Sequence, residues 1–150
     1  MKIFALGNSM YGDDGIGSAV LDTIRSRRLF PEASSHDLGT DALDLIEKFD
    51  ADSLNIVVDA VKMGSEPGAV LKFTPEQVKM VMKWDQLSLH SFGLAETFAL
   101  AKKVDKLPGK TVIIGVEPET IEAGADLSDA VRQAIPAVIE LIQSEVKDHE

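Results

Sequence analysis

The chain has 150 residues, 45% of them hydrophobic, with 25 acidic against 15 basic side chains and a formal charge of −10. That composition suits a single core of ordinary domain size and excludes a disordered chain, while the negative mean field repels polyanions and so excludes nucleic acid as a partner. There is no cysteine, which removes disulfides, thiolate metal sites and a cysteine nucleophile together.

Residues 2–6 form a short apolar run that ends at Gly7-Asn8, a strand feeding a turn. This turn arrives too early for a secretory apolar region, and no run approaches the roughly 20 apolar residues that cross a bilayer. The expectation is one soluble, cytoplasmic domain over residues 1–150 with no membrane contact. From Gly15 the period lengthens. Ile16, Ala19, Val20, Leu21 and Ile24 recur at helical spacing, and the cations between Arg25 and Arg28 suit a helix C-terminus. Residues 35–38 read as a weak second strand broken by Gly39-Thr40, and 41–49 as a short helix.

Residues 54–61 are β-branched and apolar on both sides, the pattern of a central strand. Pro67-Gly68 fits the middle of a type II turn before a strand over 69–73. That connection is too short for a parallel crossover, so the strand is expected to run antiparallel to its predecessor. Thr74, Pro75 and Gln77 supply a capping box, with Phe73 placed to staple onto Val78. A helix follows over 91–104, then a last strand over 111–116. The closing helix starts at Ser128 and carries Val131, Ile135, Val138, Ile139 and Ile142 on one side. Pro136 kinks that helix or marks a second start. Residues 145–150 read as a fraying helix end. The alternation predicts an α/β architecture, one mixed sheet with helices on both faces.

In open α/β sheets, ligands sit beyond the carboxyl ends of the strands at the switch of strand order. The polar residues at those ends are Asp13 and Asp14 within Gly12-Asp13-Asp14-Gly15-Ile16-Gly17, Asp59, His90 ahead of the helix over 91–104, and Glu117-Pro118-Glu119. The glycine-rich loop has neither the G-x-G-x-x-G spacing nor a Gly-Lys-Ser/Thr ending. It also sets two carboxylates where a phosphate would lie, which favours a cation instead.

Asp14, Asp59 and His90 form a credible metal set. Three protein ligands leave coordination positions open, and one nitrogen among oxygens shifts preference from Mg²⁺ or Ca²⁺ toward Ni²⁺ or Zn²⁺. A helix N-terminus near His90 would keep its ring neutral and able to ligate. Structural readings stand beside these. Asp13 and Asp14 can cap the first helix, and His90 alone can be a packing residue. Asp59 is costly at the end of an apolar strand unless paired or metal-bound. His36 reads as a loop residue and His149 as a tail residue. No G-x-S-x-G elbow is present.

The segment Gly7-Asn8-Ser9-Met10-Tyr11-Gly12-Asp13-Asp14-Gly15-Ile16-Gly17 resembles the G-N-x(3)-x-D-[DE]-G-x-G signature of hydrogenase maturation proteases. The likeness continues through Asp37-Leu38-Gly39-Thr40, Val57-Val58-Asp59-Ala60, Ser88-Leu89-His90-Ser91-Phe92-Gly93-Leu94 and Gly115-Val116-Glu117-Pro118-Glu119, followed by Leu127-Ser128. Five ordered blocks are far more specific than any one alone.

The resemblance implies a three-layer αβα sandwich with a mostly parallel, mixed sheet of about five strands. It implies an endopeptidase acting on the [NiFe]-hydrogenase large-subunit precursor, whose C-terminal extension is cut once nickel is inserted. The nickel is carried by the substrate, whose thiolates supply soft ligands, and Cd or Zn can replace it in crystals. The family's nickel-contacting and catalytic positions map onto Asp14, Asp59 and His90. The first of these is often Glu in relatives and is the shorter Asp here.

Two routes to hydrolysis fit. The metal polarises the carbonyl or acidifies a bound water, or Asp14 or Asp59 acts as general base. Asp37 fits either a helper or a turn-stabilising role. Two rival classes share part of this pattern. A phosphoacceptor receiver domain also carries acids at these ends, but needs a lysine where Glu117-Pro118 stands. A nickel-binding chaperone would hold the metal without cutting.

Overall fold

The protein is described by a computed structural model covering residues 1–82 and 93–149. Among these, five strands form one sheet: β1 (Lys2–Ala5), β2 (Ser34–Asp37), β3 (Asn55–Ala60), β4 (Val70–Phe73) and β5 (Thr111–Val116). Their order is β2-β1-β3-β5-β4, with β1, β2, β3 and β5 mutually parallel and β4 antiparallel to β5. The short link through Pro67-Gly68 therefore does reverse the chain, as expected from its length. A receiver domain orders its strands 2-1-3-4-5. The antiparallel edge strand outside β5 sets this sheet apart from that alternative.

Side-chain alternation along the strands sorts the helices into two layers. Ile3, Ala5, Ile56, Val58, Ile114 and Val116 pack beneath α1 (Ile16–Ser26), α5 (Asp129–Arg132) and α6 (Ile135–Asp148). Phe4, Leu6, Val57, Val61 and Ile113 face the other way, against α2 (Asp44–Lys48), α3 (Val78–Val81) and α4 (Leu94–Lys103). The result is the three-layer αβα sandwich. Among the described residues, no helix is long and apolar enough to cross a membrane.

Several local expectations are met. Thr74 and Gln77 form the reciprocal capping box. Ser128 caps α5 through the Val131 N–H, and Pro136 sits in the first turn of α6, so it opens a second helix rather than kinking one. Others change. The second strand runs one residue earlier than expected, from Ser34 to Asp37, and His36 pairs within it opposite Phe4 rather than lying in a loop. Its ring stacks on Phe4 at a centroid distance of 5.3 Å. The chain end continues α6 through Asp148. Buried Glu145 accepts a hydrogen bond from Lys72 on β4, and its backbone carbonyl lies 2.9 Å from Nδ1 of His149.

From β1 the chain passes through α1 to β2 on one side, then returns through α2 to β3 on the other side of β1. The strand order thus reverses between β1 and β3. In open α/β sheets, such a reversal leaves a crevice at the carboxyl ends of the two strands.

Candidate active site

The first acid is brought to this crevice by two glycines. Gly7, at the exit of β1, has φ +118, and a β-carbon there would lie 2.0 Å from the Asp14 carbonyl oxygen and 3.4 Å from its carboxyl carbon. Only a hydrogen leaves room for the Asp14 backbone to fold back over the strand end. Gly17, early in α1, lets that helix settle onto the sheet: a β-carbon would come within 2.8 Å of the Leu6 carbonyl and 2.9 Å of the Val58 carbonyl. Between the two glycines, Gly12–Gly15 makes one turn of 3-10 helix. The Asn8 N–H donates to Asp14 Oδ2 at 2.8 Å, and Asp14 is only 3% exposed.

The second acid comes from the sheet itself. The Leu6 N–H donates to the Val58 carbonyl, so the segment carrying Asp14 runs beside the end of β3, where Asp59 follows. Asp59 is 3% exposed. Alternation puts it on the face shared by Val57, Val61 and α4. Its neighbour in register on β5 is Gly115, which presents no side chain. The expected third donor, His90, lies outside the described residues. Leu94, four positions later, is buried in the cluster on the Asp59 face. Among the described residues, no group of three or more acids or histidines is gathered as metal ligands, so Asp14 and Asp59 are the described part of the expected set.

The remaining acids have other duties. Asp13 does not cap α1, whose N-cap Gly15 receives no side-chain bond. Instead its carboxylate, fully buried, accepts from the N–H groups of Glu119, Thr120 and Ser128 and from the Ser128 hydroxyl, at 2.7–3.0 Å. Burial pushes its pKa up, but these donors together outweigh it and hold the carboxyl below its ordinary value.

Glu117 is also buried, and its Oε1 accepts from the N–H groups of Met63 and Ser65, tying down the segment that follows β3. Asp37 accepts from the Gly39 N–H and from Ser18 on α1, which is the turn-stabilising role. No local pattern marks Asp13 or Glu117 for these tasks, since their partners lie 52 to 115 residues away in sequence.

The chain is thus a doubly wound α/β protein with two buried carboxylates, Asp14 and Asp59, at its switch point. A family profile described as hydrogenase maturation protease matches residues 19–145. The hydrogenase expression/formation protein HoxM of Cupriavidus necator is 31% identical over 136 residues, 90% of this chain and 66% of that protein. The chain belongs to the hydrogenase maturation protease family. It spans slightly less than two thirds of the length of the HoxM and HupM proteins that it matches.

Two solved structures share the fold. An endopeptidase from Escherichia coli gives a TM-score of 0.82 at 24% identity, over 99% of this chain and 93% of that one. The hydrogenase maturating endopeptidase HybD from E. coli gives 0.79 at 23%, with the same coverage.

Proposed function

We propose that the protein is an endopeptidase that hydrolyses one peptide bond of a [NiFe]-hydrogenase large-subunit precursor, releasing its C-terminal extension, and that nickel already held by the precursor is the recognition element. The observation that carries this reading is the pair of buried carboxylates, Asp14 and Asp59, at the switch point of a chain in this family. Residues 1–150 act as one domain, and the reaction belongs to the cytoplasm, where a newly made precursor is met.

The donor chemistry fits. Two carboxylate oxygens and the His90 imidazole form an incomplete set with open positions. Such a set holds free nickel weakly but completes the coordination of nickel bound by substrate thiolates. Docking thereby reports metal occupancy, and an empty precursor loses those contacts. Asp14 and Asp59 orient the metal-bearing tail against the crevice. Hydrolysis consumes one water, giving a new carboxylate on the large subunit and a new amino terminus on the released peptide.

The test is mass spectrometry of nickel-loaded and nickel-free precursor after incubation with the wild type and with Asp14→Asn and Asp59→Asn. The reading expects loss of the tail only from loaded precursor, and a drop of at least about 100-fold in both variants. Efficient cutting of nickel-free precursor would refute nickel recognition. An uncut precursor with nickel transferred to this chain would identify a nickel-binding chaperone instead.

A further inference from the structure

We propose that Asp13 is a positioning residue: its carboxylate clasps the exit loop of β5 (residues 117–128) to the turn that carries Asp14, and so fixes where the Asp14 carboxylate points. The proposal rests on the proposed function for the role of Asp14, but the clasp itself is a matter of geometry.

A 3-10 turn advances about 120° per residue, so adjacent side chains diverge. Asp14 turns toward Gly7 and Asn8, whereas Asp13 turns toward the distant loop. A carboxylate offers about four acceptor sites. Here Oδ2 takes Glu119 N–H (2.9 Å), Thr120 N–H (3.0 Å) and the Ser128 hydroxyl (2.8 Å), and Oδ1 takes Ser128 N–H (2.7 Å). Four donors converge on the one group. Three of them crowd Oδ2 and one holds Oδ1, so the carboxylate is committed to the loop.

The backbone is laced along the same seam. Asp13 N–H donates to the Thr120 carbonyl, Gly12 N–H to Ala125, and Gly124 N–H to Met10. The same exit loop begins at Glu117, whose carboxylate holds Met63 and Ser65 beyond Asp59. One loop therefore ties both acid-bearing segments, by Asp13 on the Asp14 side and by Glu117 on the Asp59 side. Slack at the Asp13 end alters the spacing of the two acids.

An amide cannot replace this carboxylate. Whichever way an Asn turns, its NH₂ group faces at least one of the four donors.

The test compares wild type, Asp13→Asn and Ser128→Ala by amide hydrogen exchange and by cleavage of nickel-loaded precursor. Ser128→Ala deletes the hydroxyl donor to Asp13 together with the α5 cap on the Val131 N–H, so any faster exchange at Val131 is assigned to the lost cap. Exchange at Glu119, Thr120, Ser128 and Asp14 should speed about 10-fold or more in Asp13→Asn while Val57 and Ile113 stay protected. kcat/KM should fall about 10- to 100-fold, as misplacement of a reacting group demands. Ser128→Ala should show the same pattern more weakly, and it decides the matter if Asp13→Asn does not fold.

Because the loss runs through Asp14, Asp13→Asn should cost less than about threefold on an Asp14→Glu background, where the carboxylate is already displaced. A purely structural role would subtract its full amount from both backgrounds, and that outcome overturns the proposal, as does wild-type exchange at the loop. If the wild type itself leaves loaded precursor uncut, the function reading fails while the exchange arm still judges the clasp.

Discussion

Replacing Gly7 by alanine should damage stability and chemistry together. The new β-carbon would stand 2.0 Å from the Asp14 carbonyl oxygen, whereas real β-carbons essentially never approach a heavy atom closer than 3.0 Å. The Asp14 backbone must retreat by the difference, about 1 Å, or the end of β1 must move instead. A residue with a side chain also pays for φ +118, at about 1–3 kcal/mol. Relieving the overlap in a packed site adds about 1–3 kcal/mol.

The sum, about 2–6 kcal/mol, is a large part of a domain's stability of about 5–15 kcal/mol. In the molecules that stay folded, a 1 Å displacement of Asp14 should slow cleavage about 100-fold. Chemical denaturation and precursor cleavage, measured on the same preparation, check both halves. Gly109→Ala is the control, because nothing lies within 4 Å of its β-carbon position, and it should move the midpoint little or slightly upward. Wild-type stability and cleavage in Gly7→Ala would refute the account of how Asp14 is placed.

Other outcomes follow from the packing. Phe4 is fully buried between His36 and Phe49, so Phe4→Ala should lower unfolding free energy by about 3–5 kcal/mol in a denaturant titration. Glu117→Ala strands the buried Met63 N–H, while water can reach exposed Ser65. A loss of about 1–3 kcal/mol is expected, with faster amide exchange at Met63. Burial, then the charges of Lys2, Lys48 and Arg25, hold the His36 pKa below its ordinary value. The folded state thus resists protonation there, so the stability His36 contributes is present above about pH 6.5 and is lost as pH falls through the folded value. Denaturation midpoints of wild type should drop on acidification in that window, and His36→Gln should flatten the drop.

Much of this molecule was legible from local signals because those signals have local causes. The capping box at Thr74, the restart at Pro136, the reversal before β4 and the apolar run of β3 each depend on residues within one turn or strand. Residues whose roles depend on far partners were not. Asp13 looked like a helix cap because the segment before α1 suggests one, yet its donors come from residues 119–128. Glu145 was read as part of a fraying helix end and its burial was not foreseen, although it continues the buried stripe of Val138 and Ile142, and that spacing was a readable sign. His36 was taken for loop because β2 is short and polar; its stacking on Phe4 depends on the register between β1 and β2. The positions of Asp14 and Asp59 at one rim follow from strand ends, which periodicity does reveal.

The most direct measurement is anomalous diffraction from crystals soaked with Ni²⁺ or Cd²⁺. The account predicts one anomalous peak at the carboxyl ends of β1 and β3, contacted by Asp14, Asp59 and His90. A peak elsewhere, or these three side chains directed away from one another, would contradict it.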